Sequence, residues 1–266
     1  MKNKCLFRIC VTVVLIFLYL PIFVVIIFAF NKIKSRTLFT GFTLNWFIEL
    51  FRDRVIISSL FNSFILATLA SVIATLIGTL AALQIVKMKG KSQSVVMNLN
   101  YIPIVNSDVV MGISLMLLMI FILNVVGGSL GFLTVLIAHI TICMPYVVLT
   151  VLPKVRQVDP NMLDAALDLG CTPSKAFIKI IFPQITSGII SALVMAFSIS
   201  FDDFAVSYFT AGSSFQTLPV LIYSMARKRI TPKINALFAI LLVLILIMLI
   251  FMNFLDVRSK KLKIKK

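Results

Sequence analysis

Apolar residues are gathered into runs much longer than the spacing between them, and these runs organise the chain. Six approach or exceed the ~20 residues a helix needs to cross a bilayer. They are Ile9 to Phe30, Leu60 to Val86, Tyr101 to Val126, Leu130 to Leu152, Ser187 to Phe209 and Ile234 to Phe254. The pattern predicts an all-α fold, a polytopic membrane helical bundle with six transmembrane helices. Prolines and polar residues sit inside several runs. Such interruptions are tolerated at membrane depth only where they are buried in protein or face water, so the bundle is expected to line something polar.

One polar stretch, Leu152 to Thr186 (LPKVRQVDPNMLDAALDLGCTPSKAFIKIIFPQIT), breaks this monotony. Asp159 followed by Pro160 is a helix start, and Gly170 is a left-handed stop, which predicts a short helix from Pro160 to Leu169. Thr172-Pro173 repeats the start signal, and the second helix is expected to run to about Ile181, closed by Pro183. Leu163, Ala166 and Leu167 share one face, opposite Asn161, Asp164 and Asp168. Phe177, Ile180 and Ile181 likewise oppose Lys175 and Lys179. Helices this short are marginal alone in water, so the hairpin must dock, either on its own bundle or in a partner's groove. A third amphipathic piece, Asn45 to Arg54, puts Trp46, Phe47, Leu50 and Phe51 on one stripe and reads as an anchor lying on the outer membrane interface, with contact to a partner protein as the alternative.

Composition agrees with a membrane protein: 61% of the 266 residues are hydrophobic, 13% are charged, and the mean hydropathy is +1.11. The 25 basic side chains far outnumber the 9 acidic ones. They cluster at the ends of apolar runs rather than on one soluble face, so anionic lipid headgroups, not nucleic acid, are the expected partner. With six spans both termini share a side, and that side carries 16 Lys and Arg against 9 on the other, which makes it cytoplasmic. The first run follows Lys2, Lys4 and Arg8, is too long for a signal-peptide core, and is read as a helix that stays attached. Cys5, Cys10, Cys143 and Cys171 show no paired spacing, and neither a disulfide nor a zinc site is expected. The tail RSKKLKIKK reads as a stop-transfer signal touching solvent or lipid.

Chemistry is sparse and therefore conspicuous. Asp202 and Asp203 follow Ser198 and Ser200 in the fifth run, and Asp108 opens a polar notch with Pro103, Asn106 and Ser107 in the third. A carboxylate at mid-membrane costs ~3 kcal/mol on insertion scales, so these groups should face water or a cation; the alternative is that they cap helices at the outer mouth. Neighbours on a helix diverge by ~100°, so at most one of the adjacent pair should point at the axis, with Ser198 on the face of Asp202. His139, in the fourth run, reads first as an interhelical hydrogen-bonder. Gly90-Lys91-Ser92 ends like a phosphate-binding loop, but Ile85 stands where the leading glycine belongs, and no nucleotide site is expected on this chain.

Asp164-Ala165-Ala166, then Gly170, then Ile180-Ile181-Phe182-Pro183 reproduces the spacing E-A-A-x3-G-x9-I-x-L-P and resembles the signature of permease subunits of binding-protein-dependent ABC importers, the MetI-like superfamily. Asp164 stands in for Glu and Phe182 for Leu. The resemblance implies that Asp164, Ala165, Ala166, Gly170, Ile180 and Pro183 belong to a coupling helix seated in a cleft of a cytoplasmic ATPase. It implies no cofactor or catalysis on this chain, ATP being bound by the partner ATPase. The implied partners are a second permease subunit forming a heterodimer, two ATPase subunits, an extracytoplasmic binding protein and membrane lipids, in the inner membrane of a bacterium.

A narrower likeness rests on Ser200-Phe201-Asp202-Asp203, Thr217-Leu218-Pro219 with Ile222-Tyr223-Ser224-Met225, Asn235-Ala236-Leu237, His139-Ile140-Thr141 with Cys143 and Pro145, and Asp108 ahead of Met111. These resemble the permeases of spermidine/putrescine importers, which implies a polyamine substrate and a path past Asp202, Asp203, Asp108 and Ser198. The expected organisation is an N-terminal helix and outer interfacial segment (1–57), the importer transmembrane domain (58–254) with its coupling loop (153–186), and a basic cytoplasmic tail (255–266). Importers of an opine, an iron complex or a sulfate-like anion are rival readings, as are a cation channel, a secondary transporter and a membrane enzyme. The acidic path disfavours anions. An enzyme lacks a nucleophile-base or metal-ligand constellation in this sequence.

Overall fold

The computed structural model describes residues 2–33, 38–159, 161–228, 232–243 and 246–247, with side chains from Phe7 onward except that of Lys228. Five helices are long and apolar enough to span a membrane: Phe7–Ala29, Arg54–Lys87, Asp108–Val126, Phe132–Arg156 and Pro173–Asp202. A sixth apolar helix, Pro232–Val243, covers most of the described part of the last run. The basic tail and Pro160 lie outside the described residues. The chain divides into two compact units, one of residues 1–57 with 222–266 and the other Ser58–Leu221.

In the first unit, α1 (Lys2–Ala29) has an apolar window of which none is buried by the protein itself, so lipid or another subunit must cover it. After α1 the chain turns back through an antiparallel bridge, Asn31 to Phe42, with Phe30 stacked on Phe42 at 5.0 Å. The amphipathic stretch forms α2 (Asn45–Arg52), with Leu50 buried. The Trp46 indole N–H donates to the Asn31 carbonyl at 2.7 Å, so its polar edge is satisfied by protein and not left to headgroups. Asp53, just after α2, pairs with Lys233 at the start of the apolar helix Pro232–Val243.

The second unit is built on α3 (Arg54–Lys87), α4 (Lys91–Val105), α5 (Asp108–Val126) and α6 (Phe132–Arg156). The hairpin follows as α7 (Asn161–Asp168) and α8 (Pro173–Ala176), and then α9 (Phe182–Asp202) and α10 (Ala205–Thr210); α11 (Leu218–Lys228) begins in this unit and runs on into the first. In lipid no hydrophobic force drives helices together, so close packing of small residues has to. On α9, Gly188, Ala192, Ala196 and Ser200 recur every four residues and are all buried, giving α6 a smooth face to lie on. The Cys143 thiol of α6 reaches the Ala196 carbonyl at 3.4 Å across that contact. Gly78 lets α3 approach α6 equally closely: a Cβ there would stand 2.6 Å from the Val147 side chain.

Three expectations need correction. The run Tyr101 to Val126 is two helices, because extended backbone at Asn106 and Ser107 separates α4 from α5, leaving Asp108 in the first turn of the spanning helix. The run Ser187 to Phe209 also breaks: Asp203 is extended (φ −66°, ψ 121°), so α9 stops at Asp202 and both aspartates lie at a helix end and not in its middle. Finally, Pro183 does not close the second hairpin helix. A π-helical turn, Phe177–Ile181, precedes it, and the helix continues into α9. A proline lacks an N–H and its ring crowds the carbonyl four residues back; the wider π turn admits one extra residue and accommodates the ring.

Candidate functional site

Two places in the second unit gather the polar residues singled out from the sequence. The first is a cavity of about 540 Å³ lined by Asp108, Ser198, Asp202 and Asp203 together with Tyr146, Phe204 and Met111. Asp108 comes from the start of α5, Ser198 and Asp202 from the last turns of α9, and Asp203 from the elbow before α10.

The three carboxylates are held differently. Asp203 accepts the backbone N–H of Ser207 at 2.8 Å and of Val206 at 3.3 Å, which caps α10, and its Oδ2 lies 3.4 Å from His139 Nε2. Its side chain is only 8% exposed. Asp202 and Asp108 are exposed to the cavity. Asp108 sits where the partial positive charge of a helix N-terminus compensates a carboxylate. Asp202 sits at the opposite kind of end, beside the unpaired carbonyls of the last turn of α9, where the helix adds negative potential to its own. The two adjacent aspartates thus differ: both line the cavity, but Asp203 is mostly buried and bonded to protein groups while Asp202 is exposed. Ser198 shares the face of Asp202, its hydroxyl donating to Val194.

Tyr146 and Phe204 were not singled out from the sequence as lining residues. Tyr146 lies seven residues after His139, on the same face of α6 with Ile142 between, and that heptad spacing is the signal that finds it. Phe204 follows the aspartates directly, and its ring packs on Tyr208 at 5.4 Å. The cavity lining therefore combines aromatic rings with carboxylates.

The second place is the hairpin. Asp159 Oδ1 accepts the Asn161 N–H at 2.9 Å, starting α7. At its other end Gly170 adopts φ +82°, with Gly170 N–H to Leu167 O and Cys171 N–H to Ala166 O, the paired bonds of a Schellman stop. Ala166 and Ala176 are buried where α7 meets α8 and the π turn, so the hairpin folds on itself. Asp164, Ala165 and Gly170 are exposed, as is Pro183, while Ile180 is half-buried. Leu169 is 86% exposed, and Met162 and Leu167 are exposed as well, so the hairpin presents apolar side chains to its surroundings.

The family of binding-protein-dependent transport system inner membrane components matches residues 74–263, a stretch containing the whole hairpin and the cavity. The chain belongs to this family. It is 36% identical over 231 residues to the spermidine/putrescine transport system permease protein PotC of Haemophilus influenzae, covering 87% of this chain and 88% of that one. It is 34% identical over 252 residues to the putrescine transport system permease protein PotI of Escherichia coli, covering 94% and 90%. The fold is shared with a bacterial ABC transporter involved in import of the acidic polysaccharide alginate, at a TM-score of 0.70 and 19% identity, covering 97% of this chain and 96% of that one. An amino acid ABC transporter also shares it, at a TM-score of 0.55 and 22% identity, covering 79% and 98%. The permease is therefore a multi-pass membrane transport subunit, and the channel, secondary-transporter and enzyme readings fall away.

Proposed function

We propose that this permease forms half of the translocation path of an ATP-driven polyamine importer, passing spermidine or putrescine inward. The observation that carries the substrate class is the convergence of Asp108, Ser198, Asp202 and Asp203 on one cavity, in a chain whose relatives at 34–36% identity are named as spermidine/putrescine and putrescine permeases. A polyamine is a string of ammonium groups joined by methylenes. Carboxylates on separate elements replace part of the hydration shell of each ammonium without holding the molecule in one place, and aromatic rings suit the methylenes between. An anion meets only repulsion there.

The hairpin is the coupling element. It faces the cytoplasm, where the excess of Lys and Arg lies, and its exposed Met162, Leu167 and Leu169 enter a cleft of an ATPase subunit. ATP is bound there and not on this chain. A second permease completes the path, and an extracytoplasmic binding protein delivers the cation. Closure of two ATPases then shifts the bundle between two openings, a bistable element biased from both ends.

The test is uptake into proteoliposomes holding the purified assembly, with labelled putrescine competed by spermidine, a basic amino acid and sulfate. Competition by spermidine alone supports the reading. ATP-dependent uptake of sulfate or the amino acid with no putrescine uptake refutes the substrate class, and purification without any ATPase refutes the coupling.

A further inference from the structure

His139 is the only histidine of the chain, and its ring is fully buried among α6, α9 and α10. Nδ1 lies 2.7 Å from Ser200 Oγ on α9, and Nε2 lies 2.9 Å from Ser207 Oγ on α10. The same Nε2 is 3.4 Å from Asp203 Oδ2. With its hydrogen on Nε2, the ring accepts the Ser200 hydroxyl and donates toward the Ser207 and Asp203 oxygens, so both ring nitrogens are used. Asp203 lines the cavity; His139 does not.

We infer that His139 is a positioning residue for the cation, acting through Asp203. The Asp203 carboxylate is gripped from the α10 side by two backbone N–H groups, of Val206 and Ser207, and from α6 by the imidazole. Without the ring, both remaining donors belong to one short helix, and the carboxylate turns with it. Ser200 and Ser207 lose their common partner at the same time, so the elbow that separates Asp202 from Asp203 loses this tie to α6, while the far end of α10 stays bonded to α6 through the Thr134 hydroxyl and the Thr210 carbonyl at 2.7 Å. The histidine therefore sets where one of the three cavity charges stands, although it is too deep to touch the substrate. α6 is also the helix that leads into the hairpin, so the grip is held by the element nearest the coupling end. This inference rests on the reading of the cavity as a polyamine site.

The test is a double-mutant cycle on the reconstituted assembly, reading KM and maximal putrescine uptake per assembled complex. His139→Leu is expected to raise KM by about 5- to 10-fold with maximal uptake within about 2-fold. Asp203→Asn should raise it similarly, and the double variant should be no worse than Asp203→Asn alone, because the histidine acts only through that carboxylate. His139→Gln, which keeps a donor, should restore KM to within about 2-fold of the parent. If His139→Leu does not assemble, His139→Gln takes its place in the cycle, its small KM rise being expected to vanish on the Asp203→Asn background.

An unchanged KM, or effects of the two substitutions that multiply, overturns the inference. Asp202→Asn separates this from the wider reading. If Asp202→Asn raises KM while the histidine variant does not, only the role of His139 fails. If neither changes KM, the cavity reading fails with it.

Discussion

Replacing Asp202 with asparagine removes one negative charge from the cavity and leaves the side chain nearly the same size. The residue is exposed and ends α9, so its carboxylate and the last-turn carbonyls act on a cation together. An ammonium about 4 Å away gains about 1 kcal/mol from a unit charge at the dielectric constant of water and about 4 kcal/mol at the effective value found near protein surfaces. An exposed group in a water-filled cavity belongs toward the lower figure, so about 1–2 kcal/mol is lost, or about 5- to 30-fold in affinity. The assay is concentration-dependent uptake of putrescine and spermidine, normalised to permease in the membrane. KM should rise by that factor, and the gap from the parent should narrow as ionic strength increases, because an exposed charge is screened over about 10 Å at 0.1 M. Spermidine, with one more ammonium, should suffer at least as much as putrescine. Unchanged KM for both, or a loss insensitive to salt, would refute the argument that this carboxylate meets the substrate.

Two other consequences can be measured. Gly170→Val forces a β-branched residue into φ +82°, and Asp164→Lys reverses an exposed charge on α7; each should uncouple ATP hydrolysis from uptake or release the ATPase from membranes, and normal uptake-linked hydrolysis in both would count against the coupling role. The Asp53 pKa is lowered from its ordinary value of 3.8, chiefly by the hydrogen bond from Lys233, so the pair stabilises the fold above that pH and the contribution disappears as pH falls through the lowered value. The difference in melting temperature between the parent and Asp53→Asn should therefore be flat at neutral pH and shrink below about pH 4; a difference that persists in acid would show that the charge is not its source.

Much of the hairpin was legible along the chain because its signals are local. Gly170 stops α7 through bonds that reach no further than Ala166, and Asp159 starts it two residues away. The helix breaks were not legible. Hydropathy sees Tyr101 to Val126 and Ser187 to Phe209 as continuous, since Asn106, Ser107 and Asp203 are too few to lower a 20-residue average, yet each changes the backbone at one position. Pro183 misled for the opposite reason. It is a strong local stop signal, overridden when the preceding turn widened to the π form and tertiary contacts with α6 carried the helix onward.

From the amino-acid order alone follow the membrane class, the runs that make the spanning helices, the hairpin with its glycine stop, and the few acidic residues able to meet a cation, because each depends on hydrophobicity or on bonds between near neighbours. Only the tertiary structure decides that Asp108 and Asp202 line one cavity, that Asp203 caps α10, and that His139 ties that aspartate to α6. Those outcomes depend on how closely α5, α6, α9 and α10 pack, which small residues permit but no single stretch of chain specifies.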